Sequence, residues 1–390
     1  MAETGQQLEL VTGPIAHGGH VVARHHGAVV FVRHALPGER VVATVTGVRA
    51  KYLTADAVQV LVASPARVTP PCPYAGPGRC GGCDFQHVAV PEQRALKAAV
   101  VREQLHRLAG IDLDVVVEPL PGDQDGLRWR TRVELAVDGG GRAGLHRFHS
   151  HDVVPLDDCL IAAPGIADVL AQDWSGARAV DVVAPGVGDR VVLPRPSGPV
   201  PTVIEQVAGT TFQVSARGFW QVHPGAAAAF VAQVLDVLAP APGERAMDLY
   251  AGAGLFAHAL ATAVGESGSV LAVESDARAC ADAVANLAGR PQAQVRHRRV
   301  DRVLRTLAAR RRHTGVVVLD PPRTGAGRAV VRDIAALRPR AVAYVACDPA
   351  TLARDLAHFG DAGYRAESVR AFDAFPMTHH VECIAHLVRH

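Results

Sequence analysis

Residues 341–355 of the chain are AVAYVACDPATLARD, and this stretch decides the predicted fold. Residues 341–346 form a short apolar run with the composition of a buried strand. The run stops at Cys347, and a helical pattern starts at Thr351. In open parallel α/β sheets, ligands bind at the edge where strands end and helices begin, and a helix N-terminus lowers the pKa of a thiol. We therefore expect a reactive thiol at this edge, with a small buried side chain as the alternative.

Strands and helices alternate throughout the chain beyond Pro224. A helix is predicted for 225–238, and further helices are expected between the first five strands and after the strand that ends before Cys347. The predicted strands are 246–250, 270–274, 294–298, 315–319, 341–346, 364–371 and 381–388. This order predicts a Rossmann-like α/β domain, a doubly wound parallel sheet with an antiparallel final hairpin.

A glycine-rich turn, DLYAGAGLF at 248–256, follows the first of these strands. Glycines there allow a ligand close to the backbone, and Glu274 at the tip of the next strand can accept hydrogen bonds from ribose hydroxyls. The motif also fits the nucleotide fingerprint that ends in Ala257, so a nicotinamide cofactor stays possible. Asp248 inside the strand and DPPR at 320–323 favour S-adenosylmethionine.

A second cluster of reactive side chains is the cysteine loop, CPYAGPGRCGGC at 72–83. Its three thiols, Cys72, Cys80 and Cys83, can converge on one metal centre because the glycines let the backbone curl around it. Cys159 is the candidate for a fourth ligand. Four thiolates suit tetrahedral zinc or an iron–sulfur cluster, and the spacing does not separate the two.

The length of 390 residues and the composition limit the class of protein. A chain of this length predicts two or three domains. The net charge of +2 gives no global field that would indicate a nucleic-acid partner. No apolar run reaches the length of about 18 residues that a membrane span needs, and the first residues lack a signal-peptide pattern. We expect a cytoplasmic protein without membrane contact, in which the seven cysteines serve metal binding or catalysis.

A thiol, a carboxylate and a methyl donor at one sheet edge suit a single reaction. The stretch FPMTHHVE at 375–382 supplies Glu382 at the same edge as Cys347. The C5 carbon of uracil is too weak a nucleophile to take a methyl group directly, but addition of a thiolate to C6 creates an enolate that reacts at C5. A base must then remove the C5 proton so that the thiolate leaves. This chemistry assigns Cys347 as the nucleophile and Glu382 as the base.

Four motifs resemble those of the RNA 5-methyluridine (uracil-C5) methyltransferase family. They are CDPATLARD at 347–355, DPPR at 320–323, FPMTHHVE at 375–382 and FWQVHP at 219–224. The resemblance implies an enzyme that transfers a methyl group from S-adenosylmethionine to C5 of a specific uridine in structured RNA. The cofactor contacts that it implies are Gln221, Tyr250, Glu274 and Asp320. The ligands that it implies for a [4Fe-4S] cluster are Cys72, Cys80, Cys83 and Cys159.

Three domains are expected from the order of these patterns. Residues 1–64 form short β-strands and resemble the TRAM domain, an OB-like RNA-binding barrel, on the motifs Gly18-Gly19-His20 and FVRHALPGE at 31–39. Residues 65–222 are expected to be a β-rich central domain that holds the cysteine centre. Residues 223–390 are expected to be the methyltransferase domain.

Two other functions stay open on the sequence. One is a nicotinamide-dependent oxidoreductase with an iron–sulfur centre, and the other is an RNA-binding module without catalysis. The sequence also leaves open whether the RNA is tRNA or 23S rRNA, and it indicates no obligate protein partner.

Overall fold

The computed structural model describes residues 3–196 and 198–390. Within these ranges the strands form sheets of six, five and eight strands and one separate two-stranded hairpin. No helix in these ranges has both the length and the apolar character that crossing a bilayer requires.

The N-terminal part of the chain is a six-stranded sheet with the strand order β1-β5-β6-β4-β3-β2. Alternate side chains of its strands point into one apolar core that contains Val21, Val30 and Val41. All neighbours are antiparallel except β4 and β6. The strands are β1 (Gln7–Val11), β2 (Ile15–Ala16), β3 (His20–His25), β4 (Ala28–Arg33), β5 (Arg40–Val48) and β6 (Tyr52–Val62).

The first long helix, α1 (Val90–Ala109), follows the cysteine loop. It begins with Pro91, whose missing N–H group costs nothing at that position, and ends at Gly110, which adopts the left-handed conformation. The sequence interpretation placed this segment in the central domain. In the structure, the apolar face of α1 packs with the large C-terminal sheet, and the next strand, β7 (Val117–Pro119), is the last strand of that sheet. The domain boundaries themselves stay predictions.

The central five-stranded sheet has the order β10-β9-β8-β11-β12. Strands β8 and β9 pair as an antiparallel hairpin around residues 138–142. The apolar core of the five-stranded sheet includes Trp129, Leu135 and Cys159. The elements of this part are β8 (Arg132–Val137), β9 (Ala143–His146), β10 (Val153–Pro155), α2 (Ile166–Leu170), β11 (Ala179–Val183), β12 (Val191–Arg195) and the separate hairpin β13 (Thr202–Val207) and β14 (Thr210–Ser215).

The C-terminal part confirms the predicted Rossmann-like fold. Its sheet has the order β17-β16-β15-β18-β19-β21-β20-β7, in which β15 to β19 run parallel and β21 is antiparallel to both neighbours. Helices cover both faces and bury the apolar strands between two cores. The elements are α3 (Ala226–Leu238), β15 (Arg245–Leu249), α4 (Leu255–Val264), β16 (Ser269–Glu274), α5 (Ala277–Asn286), β17 (Ala293–His297), α6 (Val300–Ala309), β18 (Val316–Leu319), α7 (Gly327–Ala336), β19 (Ala341–Ala346), α8 (Pro349–Asp361), β20 (Tyr364–Asp373) and β21 (Glu382–Arg389).

Candidate active site

The sheet brings the predicted nucleophile and base to the same edge. Cys347 follows the last residue of β19, and Glu382 is the first residue of β21. These antiparallel strands pair with Ala346 opposite Cys383, so Cys347 and Glu382 come next to each other at the carboxyl edge. Asp320 follows β18, the strand on the other side of β19.

The pKa of the Cys347 thiol moves in the direction opposite to the expected one. Asp348 caps α8, since its side chain accepts a hydrogen bond from the Thr351 N–H at 2.8 Å, and the helix N-terminus does lie beside the thiol. Burial nevertheless raises the thiol pKa to about 11, and the charges of Glu382 and Asp320 add to this effect. The expectation of a lowered pKa was therefore wrong, because burial beside two carboxyl groups outweighs the lowering expected from the helix N-terminus.

The pKa values of the Glu382 and Asp320 carboxyl groups are also raised. Glu382 is buried, and this burial raises its pKa well above the ordinary value, with a further increase from Asp320 that Arg323 opposes. Burial raises the pKa of Asp320 to about 7. Neighbouring buried carboxyl groups disfavour each other's ionisation, so this edge can accept and release a proton near neutral pH.

The glycine-rich turn and its surroundings can hold a cofactor. Gly252 and Gly254 have positive φ angles of 52° and 86°, and Tyr250 adopts φ 64°, a strained conformation for a residue with a side chain. Glu274 accepts a hydrogen bond from the Gly252 N–H at 2.9 Å, which holds the carboxylate against the turn. Glu274, the predicted acceptor for ribose hydroxyls, therefore lies at the end of β16, against the glycine-rich turn.

Asp248 lies below this turn and is fully buried. Its Oδ2 accepts a hydrogen bond from the Ala257 N–H at 2.7 Å, whereas its Oδ1 has no partner among the described residues. Burial raises its pKa to about 8, with contributions from Asp320 and Glu274. A buried acceptor without a donor fits a site that a polar ligand completes.

The other two predicted cofactor contacts lie beside this edge. Burial, with the charges of Asp301 and Asp355, raises the pKa of Tyr250 to about 12, so its hydroxyl stays a hydrogen-bond donor. Gln221 is buried in the segment between β14 and α3, next to Trp220. Their roles stay predictions.

A cavity of about 160 Å³ opens above Cys347. Three parts of the chain form its wall: Gly18 and Gly19 of the N-terminal sheet, Lys97 and Val100 of α1, and His380 beside Cys347 itself. The N-terminal sheet therefore belongs to the wall of the reaction site.

The contact between the N-terminal sheet and the site is direct. His17 Nε2 lies 2.8 Å from Oδ2 of Asp348. Asp348 directly follows Cys347, the predicted nucleophile. A Cβ atom at Gly19 would lie 2.7 Å from His379 Cβ, so only glycine allows this approach. The Gly18-Gly19 pair is thus explained by packing at the cavity.

The segment 374–381, here called the Glu382 loop, is held by buried polar contacts. The backbone N–H groups of Asp84 and Phe85 both donate to the Met377 carbonyl at 2.9 Å. The Asp84 carboxylate lies 2.6 Å from His379 Nδ1. Lys97 Nζ donates to Asp373 Oδ1 at 2.5 Å and to the Phe375 carbonyl at 3.0 Å. These contacts fix the backbone that leads into Glu382.

Comparisons with known proteins agree with this geometry. Residues 203–390 match the family described as tRNA (Uracil-5-)-methyltransferase, and residues 2–58 match the TRAM domain. A protein of Streptomyces avermitilis named as an uncharacterized RNA methyltransferase is 47% identical over 98% of both chains. A 23S rRNA (uracil(1939)-C(5))-methyltransferase of Pseudomonas aeruginosa is 32% identical over 98% of this chain and 94% of its own. The chain belongs to the uracil-C5 RNA methyltransferase family.

The fold of this methyltransferase also matches a solved structure along its whole length. The tRNA (uracil-54, C5)-methyltransferase of Pyrococcus abyssi superimposes with a TM-score of 0.74 over 98% of this chain and 100% of that one, at 21% identity. Family membership confirms an S-adenosylmethionine-dependent RNA uracil-C5 methyltransferase with an N-terminal TRAM domain. It contradicts the alternatives of a nicotinamide oxidoreductase and a non-catalytic RNA-binding module.

Sequence reasoning missed three residues that shape the site of this methyltransferase: His17, Asp84 and Lys97. Lys97 carried a signal, since the chain has only two lysines and this one falls among the apolar positions of a helix. His17 and Asp84 carried none, because their partners lie 331 and 295 residues away in the chain.

The four cysteines proposed as metal ligands are free thiols that come close enough for their charges to interact. Burial, together with the charges of Cys159 and Cys72, raises the pKa of Cys80 to about 11. Burial also raises the pKa of Cys83 and Cys159, again with contributions from the other thiols. Within residues 3–196 and 198–390, however, no set of three or more potential ligands is arranged to hold a metal ion. The geometry alone therefore gives no support for the predicted metal centre.

Proposed function

We propose that Cys347 bonds to C6 of a uridine in structured RNA and that Glu382 completes the reaction as the base. The observation that carries this proposal is the side-by-side position of the two residues at the edge of the sheet, where Cys347 lines a cavity and Glu382 is buried behind it. The thiolate adds to C6 and the negative charge passes to the enolate. C5 would then take the methyl group from S-adenosylmethionine, with S-adenosyl-L-homocysteine as the leaving product. The Glu382 carboxylate removes the C5 proton, and the electron pair of that C–H bond re-forms the C5–C6 double bond and breaks the C6–S bond, which releases 5-methyluridine and the thiolate.

The raised thiol pKa requires an activating change before attack. S-adenosylmethionine supplies the methyl group and carries a sulfonium charge, and we propose that Gln221, Tyr250, Glu274 and Asp320 contact it. If Asp320 holds the cofactor, the sulfonium charge would offset the carboxylates that raise the Cys347 pKa, and this would favour the thiolate. The uridine must also leave its stack to reach the thiol in the cavity.

The RNA partner is proposed as tRNA or 23S rRNA, in the cytoplasm. The Pseudomonas aeruginosa relative is named for a uridine of 23S rRNA, and the Pyrococcus abyssi structure is that of a tRNA enzyme, solved with S-adenosyl-L-homocysteine. The TRAM domain lines the reaction cavity through Gly18 and Gly19, which suits a domain that delivers RNA to the thiol.

The direct test is methylation of RNA with S-adenosylmethionine whose methyl group is deuterated. We expect labelled 5-methyluridine, identified by mass spectrometry of nucleosides, in one of the two RNA classes and at one position. The C347A variant should give no label, and label at another nucleoside or at uridine N3 would contradict the proposal.

We further propose that Cys72, Cys80, Cys83 and Cys159 hold a [4Fe-4S] cluster. The charges of these thiols influence one another, and four thiolates suit an iron–sulfur cluster or tetrahedral zinc; the family resemblance of the sequence favours the cluster. Anaerobic purification should give brown protein with iron and sulfide at about four each per chain. Stoichiometric zinc without sulfide would contradict this proposal.

A further inference from the structure

A groove of about 890 Å³ lies between α6 and the edge strand β17, and we call it the α6 groove. The groove shares no lining residue with the cavity above Cys347, and on β15 and β16 it is lined from their first residues, Arg245 and Ser269, at the sheet edge opposite to Cys347. Its wall is strongly basic. The arginines that line it are Arg245, Arg296, Arg298, Arg302, Arg310 and Arg312.

With one exception, these arginines lack the ion pairs that half of the arginines of the chain form. Arg340 and Arg370, for example, form ion pairs with Glu244 at 2.9 Å and with Glu118 at 2.6 Å. Among the six groove arginines, Arg302 alone has a carboxylate within 4.0 Å in the described ranges, a contact of 3.9 Å with Asp301. Unpaired like charges repel each other, so the fold carries a local cost that an anionic partner would remove.

The floor of the groove suggests the form of that partner. Met247 and Leu271 contribute apolar surface from the strands, and Val303 and Leu307 contribute it from α6. A groove with an apolar floor and exposed guanidinium groups fits the unstacked bases and phosphates of a single strand. An acidic peptide would find the same charge but would leave the apolar floor without a partner.

We propose that the α6 groove binds a single-stranded segment of the substrate RNA through its phosphates. The inference deepens the proposed function, since it adds a second anchoring site for the RNA that presents its uridine to Cys347. Charge favours RNA here because the whole chain carries a net charge of only +2, whereas this groove concentrates six arginines.

The test uses the full-length protein and a fluorescent single-stranded oligoadenylate of about 20 nucleotides, a length that spans the groove with flanking residues. The groove variant is R296Q/R298Q/R310Q/R312Q. The matched control, R328Q/R338Q/R365Q/R389Q, removes the same charge from exposed arginines elsewhere on this domain. Dissociation constants are measured by anisotropy between about 50 and 200 mM salt.

We expect the groove variant to bind roughly tenfold more weakly and to lose about 3 from the slope of log K against log salt, since each phosphate contact on a single strand contributes about 0.7. The control should keep the wild-type slope. An unchanged salt slope in the groove variant overturns the inference. The inference is also overturned if the groove variant binds polyglutamate more weakly than wild type but binds RNA equally well.

Cross-linking of the wild-type protein removes any dependence on how the variant folds. Oligonucleotides with 4-thiouridine should cross-link to peptides from 293–313, and cross-links confined to other parts of the chain overturn the inference. If the wild-type protein methylates no RNA while groove-dependent binding persists, the proposed function fails and the α6 groove stands. If methylation occurs and the groove variant binds normally, the groove proposal alone fails.

Discussion

At the scale of single residues, the central feature is a thiol in surroundings that oppose its ionisation. Cys347 is half-buried next to Glu382 and Asp320, and together these raise its pKa to about 11. A nucleophile that stays protonated until the methyl donor binds does not react with other electrophiles. In the proposed mechanism, the same carboxyl groups that suppress the thiolate also serve the reaction, Glu382 as proton acceptor and Asp320 as cofactor contact.

This environment predicts how Cys347 reacts with iodoacetamide. Alkylation requires the thiolate, so the rate should rise about tenfold per pH unit through the neutral range toward pH 11. At alkaline pH, where Glu382 is ionised, the E382Q variant lacks this negative charge and should react several-fold faster. S-adenosylmethionine should accelerate alkylation more than S-adenosyl-L-homocysteine, which occupies the same site without the sulfonium charge.

Peptide mapping, with C347A as the control, assigns the modification to Cys347. A flat pH profile, or equal rates with the two cofactors, would contradict the assigned environment.

A second prediction concerns His17, which contacts Asp348 beside the nucleophile. The hydrogen bond to Asp348 raises the pKa of His17, so the charged pair is present at low pH and is lost as the pH rises through the His17 pKa. H17A should lower the rate of methyl transfer two- to fivefold, the effect of a partly exposed ion pair of about 0.5–1 kcal/mol. The H17A substitution should also make the rate of methyl transfer less dependent on pH in the range around the His17 pKa. H25A, in the same sheet, is the control, and an H17A profile identical to wild type would exclude a positioning role.

At the scale of elements, α1 is the support for the Glu382 loop. The Lys97–Asp373 ion pair is completely buried, with side-chain exposures of 1% and 0%, and the same lysine donates to the Phe375 carbonyl. Burying two charges yields little net stability, but removing one of them leaves the other without a partner. The pair therefore serves to define the position of the loop.

K97M should accordingly lower the stability of the full-length protein by roughly 3–5 kcal/mol, because Asp373 stays buried and unpaired. The double variant K97M/D373L should recover most of the thermal unfolding temperature, since it replaces the pair with apolar side chains. It should not recover methyl transfer, because the Phe375 carbonyl still lacks its donor. Full activity in the double variant would show that Lys97 has no positioning role.

At the scale of the whole molecule, the reaction site is assembled from parts that lie far apart in the sequence. The strands of the large sheet were predictable to within two residues, because buried parallel strands are apolar runs between turn signals. The positions of Cys347, Glu382 and Asp320 at one edge follow from that order. The pairing of β7 with β20, the contact of His17 with Asp348 and the direction of the Cys347 pKa were not predictable, since each depends on tertiary contacts without a local pattern.

The assembly predicts that the catalytic domain does not fold as the fragment 223–390. That fragment lacks β7 and the apolar side chains Val101, Leu105, Val115 and Val117, which are buried in one core of the large sheet. Each such side chain contributes about 1.5–3 kcal/mol on burial, so their sum approaches the whole stability of a domain. The fragment 65–390 retains them and should give a cooperative thermal transition. A cooperative transition in 223–390 would contradict this view.

The most direct measurement of the central claim is mass spectrometry of the protein after incubation with S-adenosylmethionine and RNA that carries 5-fluorouridine. Fluorine at C5 cannot leave as a proton does, so the reaction should stop at the covalent adduct. We predict a modified peptide in which the nucleotide, with its added methyl group, is bonded to Cys347, and no adduct in C347A. An adduct on another residue, or methylated product without any adduct, would contradict the account.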